Sequence, residues 1–343
     1  MIKNQLYFVF LLSFLSPFST VAQSGTVQWR YTFSDLAELS WIIAANNQLV
    51  YVGSGSGALY AVEAQSGLPV WEFNSTGLLP SLVSAAAVSE GIIYFTSKDG
   101  YLYALDSLTG DKLWSSELNA WLSSPVVDGG MIYVGSMDGS LYAVNASTGL
   151  KSWSFPTPRP LFSSPAVDQN VIYVTSMDQR LYAVDAVSRQ GLWSVDLQGT
   201  GGSPIVAHGA VYVALAEEVL AFNAANGTLH WGFSSGVSFG RPTLENDRVF
   251  IFGSNRTLFA LDDLSGEEEW QLSTNTDTDF LLPPTVLNST LYLPISGALL
   301  AFNVETREKL WTCQLQGTDG VASAIGDDLI YVIYDYTLYA IKL

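Results

Sequence analysis

The chain has one cysteine, two histidines and few positive charges, and each shortage excludes a class of binding partner or chemical site. In 343 residues there are 14 Lys and Arg against 32 Asp and Glu, which gives a formal net charge of −18. Because phosphate contacts supply most nucleic-acid affinity, we do not expect so acidic a chain to bind DNA, RNA or an anionic lipid surface. The hydrophobic content of 48% and aromatic content of 13% exclude a disordered chain and predict a large packed core.

The N-terminus indicates export. Lys3 precedes the apolar run LYFVFLLSFL, and the small residues Thr20-Val21-Ala22 follow, which together are typical of a secretory signal peptide over residues 1–22. The run is about half the length of a membrane span, so we expect no transmembrane segment and a secreted or periplasmic domain over residues 23–343. The only cysteine, Cys313, lies far from the predicted cleavage site. We therefore expect no internal disulfide and no lipid anchor at that site.

A single unit is repeated along the chain. Seven copies, from LYAVEAQSGLPVW to LLAFNVETREKLW, place an alanine ten residues before a tryptophan. Successive tryptophans of these copies are 38 to 43 residues apart, which is the length of one four-stranded propeller blade. Asp-Gly and Gly-Gly turns separate short runs of β-branched and aromatic residues, as hairpins require. Because no window has a sustained helical period, we predict an all-β fold with almost no helix.

The two ends of the chain predict the number of blades. Trp29 has no alanine unit before it, whereas the unit at Ala340 stops before any tryptophan. The two halves complete each other, so the N-terminal strand is predicted to be the outer strand of the last blade. Seven complete units and this composite one predict a single domain, an eight-bladed β-propeller with about 40 residues per blade.

The repeat resembles that of the eight-bladed quinoprotein-like propellers, whose blades carry an Ala-x-Asp-x-x-Thr-Gly-x-x-x-Trp signature. The unit from Ala104 to Trp114 matches it at every position, and the resemblance covers nearly the whole predicted mature chain. It implies that one tryptophan per blade docks on the neighbouring blade, its indole N–H bonded to a backbone carbonyl. Arg189 and Arg307 replace the signature glycine in two units, which predicts either a different turn or strain of about 1 kcal/mol. The tryptophans in the docking position are Trp29, Trp71, Trp114, Trp153, Trp193, Trp231, Trp270 and Trp311.

Resemblance to this fold does not by itself imply an enzymatic activity. Many members of this superfamily are pyrroloquinoline-quinone dehydrogenases, which bracket the quinone with adjacent cysteines and a calcium ion. One cysteine cannot form that disulfide, and no strand end offers an obvious catalytic Asp beside a calcium-binding Glu and Asn. Neither His208 nor His230 has a second ligand at a metal-binding spacing, and the acidic segment 275–279 lacks the glycine of a calcium loop. We expect no cofactor and no metal; pyrroloquinoline quinone with calcium is the alternative.

The connections that lead into the inner strands contain apolar residues that the repeat does not require. Trp41 and Trp121, the only tryptophans outside the docking set, lie there. Such side chains either fill the mouth of the channel or form an exposed rim of the kind that binds proteins. The candidate partner-binding residues are Trp41, Trp121, Phe162, Phe239, Arg241 and Phe280.

Three functions fit these observations. The first is an exported, monomeric, non-catalytic scaffold that binds a protein or peptide partner through its loop face. The resemblance implies this role, because short cofactor-free members of the family act as outer-membrane assembly factors. The first alternative is a dehydrogenase that depends on pyrroloquinoline quinone and calcium. The second is a carbohydrate-binding module, since aromatic rims also stack on sugar rings.

Overall fold

Eight antiparallel sheets make up the protein. The computed structural model describes residues 24–33, 39–55, 57–75, 84–118, 121–274, 284–317, 320–326 and 328–343, and the predicted signal peptide lies outside them. These residues form 32 strands and no helix, in eight four-stranded sheets arranged as the blades of a propeller. No helix in this part of the chain is long and apolar enough to cross a membrane. The prediction of an all-β, eight-bladed propeller is confirmed.

Blades 1 to 7 each consist of four consecutive strands, which we call the inner, second, third and outer strands. Blades 1 and 2 contain β2 (Leu39–Ala45), β3 (Leu49–Ser54), β4 (Ala58–Glu63), β5 (Pro69–Asn74), β6 (Ala87–Ser89), β7 (Ile92–Thr96), β8 (Tyr101–Asp106) and β9 (Lys112–Glu117). Blades 3 and 4 contain β10 (Val126–Asp128), β11 (Met131–Gly135), β12 (Ser140–Asn145), β13 (Lys151–Pro156), β14 (Ala166–Asp168), β15 (Val171–Ser176), β16 (Arg180–Asp185) and β17 (Gly191–Asp196).

The second half of the ring repeats this order. Blades 5 and 6 contain β18 (Ile205–Ala207), β19 (Ala210–Ala214), β20 (Glu218–Asn223), β21 (Leu229–Ser234), β22 (Thr243–Glu245), β23 (Arg248–Phe252), β24 (Thr257–Asp262) and β25 (Glu268–Ser273). Blades 7 and 8 contain β26 (Thr285–Leu287), β27 (Thr290–Ile295), β28 (Ala298–Asn303), β29 (Lys309–Gln314), β30 (Gly320–Ile325), β31 (Leu329–Tyr334), β32 (Thr337–Lys342) and β1 (Val27–Thr32).

The N-terminal strand closes the last blade, as predicted. The order of strands in that sheet is β30-β31-β32-β1, and Trp29 of β1 pairs with Ala340 of β32. Two further backbone bonds extend this ladder: the Gly25 N–H donates to the Lys342 carbonyl at 2.8 Å, and the Lys342 N–H donates to the Thr26 carbonyl at 2.9 Å. Segments from opposite ends of the chain therefore form one sheet.

The constant spacing of alanine and tryptophan reflects a β-bulge. In blade 3, Ala143 pairs with Trp153, whereas the next residue, Val144, pairs with Lys151. Ser152 is left without a residue opposite it, and such an extra residue bends a strand and increases its twist. The same shift of register occurs beside the tryptophan in every blade. The residue before each tryptophan therefore stands out of the ladder on the outer strand.

The tryptophans link neighbouring blades. The Trp71 indole N–H donates to the Ser107 carbonyl of blade 2 at 3.1 Å, and the Tyr51 hydroxyl donates to the same carbonyl at 3.1 Å. The indole also covers the turn of that blade, where a Cβ added to Gly110 would lie 2.7 Å from the Trp71 ring. Its φ of 75° favours glycine, and the Trp71 indole leaves no room for a Cβ at this position. Equivalent indole bonds run from Trp29 to Ala64, Trp114 to Ala146, Trp193 to Ala224 and Trp231 to Asp263.

The two arginines in the glycine position adopt the glycine conformation. Arg189 and Arg307 have φ values of 64° and 63°, in the left-handed region. The Arg189 N–H donates to the Asp185 carbonyl at 2.8 Å, so the hydrogen bond of the turn is kept. The Arg307 guanidinium lies 5.9 Å from the centre of the Trp270 ring, where other blades have glycine against the indole. The sequence predicted either a different turn or a strained one at these two positions. The turns keep their shape, so the backbone carries the strain.

Candidate functional site

Two sets of connections meet at one end of the ring, which we call the loop face. In a four-stranded meander, the turn between the second and third strands lies at the same end as the connection to the next blade. Backbone hydrogen bonds hold them together: the Met137 N–H donates to the Trp121 carbonyl at 2.9 Å, and the Leu161 N–H donates to the Ser136 carbonyl at 2.9 Å. The connections before blades 3 and 4 are thereby fixed on the turn of blade 3.

The loop face exposes apolar side chains at blades 3 and 4. Trp121 is 45% exposed, Phe162 51% and Met177 43%. Met177 lies in the turn between the second and third strands of blade 4. Its N–H donates to the Pro160 carbonyl at 2.9 Å, which holds that turn beside the connection that carries Phe162. The Lys98 ammonium lies 5.8 Å from the centre of the Trp121 ring. We call Trp121, Phe162 and Met177 the apolar patch, because all three are exposed on loops that backbone hydrogen bonds join. Large apolar side chains exposed on one face are typical of interaction surfaces.

Phe239 does not belong to this patch. It is 7% exposed, and its ring centre lies 5.9 Å from that of Phe233 and 5.8 Å from that of Phe259. Phe233 comes from the outer strand of blade 5 and Phe259 from the third strand of blade 6, so Phe239 fills the junction between them. Phe239 is therefore left out of the apolar patch, and its role in partner binding stays a prediction.

Arg241 lies in a cavity of about 540 Å³ beside the inner strands of blades 5, 6 and 7. Its side chain is exposed to solvent, yet burial among the surrounding atoms lowers the pKa of the guanidinium below its usual range. Arg241 therefore faces a space that is open to solvent. Of the described residues that line the cavity, Arg241 alone is charged.

A calcium-held quinone does not fit this lining. Calcium takes six to eight oxygen ligands, mostly carboxylates and carbonyls. The described lining residues contribute no carboxylate and no side-chain amide.

Cys313 is buried in the outer strand of blade 7, away from the inner strands, and burial raises the pKa of its thiol.

Two of the predicted site residues cannot be compared with the structure. Trp41 lies in β2, but its side chain is outside the description. Phe280 and the acidic segment 275–279 are outside the described residues altogether. The apolar patch is accordingly defined on blades 3 and 4 alone.

A second side-chain cluster lies at the opposite end of the ring, between blades 5 and 6. His208 Nδ1 is 2.7 Å from Asp263 Oδ2 and 3.6 Å from Asp247 Oδ1. The hydrogen bond to Asp263 raises the pKa of His208, and the negative charges of both aspartates add to this effect. The hairpins of two blades thus bring together His208 and Asp263, which are 55 positions apart in the chain and form no recognisable metal-binding spacing in the sequence.

The four-stranded blades, the docked tryptophans and the strand shared by both chain ends define the class of the protein as a quinoprotein-like eight-bladed propeller. The sequence matches the family described as outer membrane protein assembly factor BamB, with matches over residues 19–120, 75–162, 99–231 and 215–343. The chain belongs to this family. No curated protein matches the sequence.

Solved structures share the fold at low sequence identity. BamB from Moraxella catarrhalis has a TM-score of 0.75 and 16% identity, covering 93% of this chain and 99% of its own. The computationally designed Ika8 protein has a TM-score of 0.81 and 13% identity, with coverage of 94% and 100%. The quinohemoprotein alcohol dehydrogenase ADHIIG from Pseudomonas putida HK5 has a TM-score of 0.72 and 13% identity, with coverage of 93% and 77%. At these identities the likeness concerns the fold alone.

Proposed function

We propose that the protein is an exported, non-catalytic scaffold that contributes to outer-membrane protein assembly by binding a protein or peptide partner. The apolar patch of Trp121, Phe162 and Met177 is the binding surface, and its exposure is the observation that carries the proposal. The family described as an outer-membrane assembly factor supports the role. The predicted signal peptide supports the export.

The chemistry of the patch favours a protein partner. Tryptophan and other aromatic residues are enriched among the side chains that dominate binding energy at protein interfaces, and methionine adapts to varied apolar partners. Trp121 and Phe162 both come from connections tied to the turn of blade 3, so they are presented on a fixed backbone. A fixed surface loses less conformational entropy on binding than a mobile one.

Photo-crosslinking tests the surface directly. A photoreactive phenylalanine analogue replaces Trp121 or Phe162, and in matched controls it replaces Leu113 or Leu192, which are 50% and 51% exposed on outer strands. We expect both patch positions to form an adduct with the same protein in the cell envelope of the host, and both control positions to form none. The purified partner should then bind the Trp121→Ala/Phe162→Ala variant at least tenfold more weakly than the wild type.

Two results would overturn the proposal. Adducts of equal yield from the patch and the control positions would show that the patch is not a specific surface. Stoichiometric retention of pyrroloquinoline quinone with calcium through gel filtration, together with dye-linked alcohol oxidation, would show an enzyme instead.

A further inference from the structure

We propose that His208, Asp247 and Asp263 bind one divalent transition-metal ion, of the class of Zn²⁺, at the junction of blades 5 and 6. His208 lies in the hairpin between β18 and β19, Asp247 in the hairpin between β22 and β23, and Asp263 directly after β24. These hairpins are at the end of the ring opposite the loop face. The inference is therefore independent of the proposed partner-binding function.

The donor atoms are spaced as such an ion requires. One donor atom from each of the three residues lies within 4.8 Å of the others. Ligands of a tetrahedral zinc ion, bound at about 2.0 to 2.1 Å, are about 3.3 Å from one another. The two distances from His208 Nδ1, 2.7 Å to Asp263 and 3.6 Å to Asp247, lie on either side of that value. Small side-chain rotations would bring the three atoms onto one ion.

Asp263 is a buried carboxylate with an unused oxygen. Its side chain is 2% exposed, Oδ2 contacts His208, and Oδ1 has no hydrogen-bond partner among the described residues. An unpaired buried carboxylate oxygen is costly, and a cation beside the carboxylate removes that cost. The backbone of Asp263 is fixed, because its carbonyl accepts the Trp231 indole N–H at 2.9 Å. The buried ligand is thus held in place before the ion arrives.

The other two ligands are free to adjust and open to solvent. The side chains of His208 and Asp247 are 51% and 84% exposed, so an ion can enter from solution. With three protein ligands, a water molecule would complete a tetrahedral site. Imidazole nitrogen suits zinc, copper, nickel and iron, whereas calcium prefers a shell of oxygens. The mixed donor set favours a transition-metal ion.

The repeat gives Asp263 no structural role at this position. Four other blades have alanine there, namely Ala64, Ala146, Ala186 and Ala224. The backbone carbonyls of three of these alanines, Ala64, Ala146 and Ala224, accept a tyrosine or tryptophan hydrogen bond without help from the side chain. A bound ion would join two blades in a ring that has no disulfide.

Metal titration of untagged, chelator-treated protein tests the site. We expect calorimetry with ZnCl₂ to give one ion per chain, and Co²⁺ to give the visible absorbance of a tetrahedral site. His208→Ala and Asp263→Ala should each weaken zinc binding at least tenfold. Asp263→Ala introduces the residue that four other blades carry, so it is expected to fold. His230→Ala is the matched control, because His230 is the only other histidine and is exposed.

Thermal unfolding gives a second readout. Saturating zinc should raise the Tm of the wild type and of His230→Ala by about 2 to 4 °C, and should leave Asp263→Ala unchanged. Absence of stoichiometric binding, or binding that survives both His208→Ala and Asp263→Ala, would overturn the proposal. A Tm of the wild type that does not respond to zinc would identify the cluster as an ion pair only, which also overturns it.

Discussion

The indole N–H of Trp29 donates to the carbonyl of Ala64 at 2.9 Å, and this bond joins the last blade to the first. Trp29 belongs to β1, which completes blade 8 by pairing with β32, whereas Ala64 follows the third strand of blade 1. One short strand therefore closes the ring twice, through its ladder within blade 8 and through its docking on blade 1.

Deleting residues 23–33 should destabilise the whole ring. The deletion exposes the edge of β32 and removes the contact of Trp29 with blade 1, so we expect the Tm to fall by at least about 5 °C relative to the chain that begins at residue 23. Differential scanning calorimetry measures the change. Unchanged thermal unfolding would refute the shared blade.

Phe239 and Phe162 should respond very differently to truncation. Phe239→Ala leaves a cavity beside Phe233 and Phe259, and we expect a loss of about 3 kcal/mol in the free energy of unfolding. Phe162 is 51% exposed, so Phe162→Ala should cost less than about 0.5 kcal/mol. Urea unfolding of the two variants compares them directly. A loss of equal size in both would place Phe162 in the core and remove it from the apolar patch.

Replacing Arg189 with glycine should stabilise the protein. Glycine relieves the strain of a φ of 64°, and we expect a gain of about 1 kcal/mol in the free energy of unfolding. Arg307→Gly is the matched comparison, because it also removes the contact of the guanidinium with Trp270, worth about 0.5 to 1 kcal/mol at an exposed site. Its gain should be smaller. Destabilisation by Arg189→Gly would mean that the arginine makes a contribution larger than the strain.

Acid should weaken two of the blade turns. The carboxylates of Asp106 and Asp185 accept backbone N–H groups two and three residues ahead, and these hydrogen bonds lower their pKa values. A carboxyl group whose pKa is lower in the folded than in the unfolded state stabilises the folded state. This stabilisation is complete at pH values above the unfolded pKa of about 3.9, and it is lost as the pH falls through the folded pKa.

The double variant Asp106→Asn/Asp185→Asn should lose less stability on acidification. Asn145 makes the same turn bond without a titrating group, accepting the Thr148 N–H at 2.9 Å, so the turns of the variant should persist. Urea unfolding between pH 5 and pH 2.5 measures how steeply the free energy of unfolding falls with pH in the variant and in the wild type. Parallel slopes for the variant and the wild type would contradict the linkage.

The sequence predicts the fold well because each blade is a local unit. The alanine and tryptophan of one blade are only ten residues apart, so a repeat search finds them, and the incomplete units at Trp29 and Ala340 indicate how the ring closes. The bulge beside each tryptophan was not predicted, because it is a property of pairing between strands. Composition within a strand does not reveal which residue is left without a partner.

The candidate sites were harder to predict because they depend on contacts between blades. Phe162 and Phe239 stand in equivalent connections, yet of the two only Phe239 meets aromatic rings from two neighbouring blades. His208 meets Asp263 across 55 residues, and no spacing within one unit indicates such a pair. The available signal was Asp263 itself, an acidic residue where most aligned units have a small one.

The strand that closes the ring also sets the order in which the molecule can be completed. During synthesis β1 is made before every other described strand and β32 after them. The edge of β1 therefore stays unpaired until β32 has been made. Pairing of such distant segments is slow to form, because loop closure must precede the contacts that stabilise it. A chain truncated anywhere before β32 leaves β1 without a partner. Only a chain that includes β32 can therefore pair its first described strand.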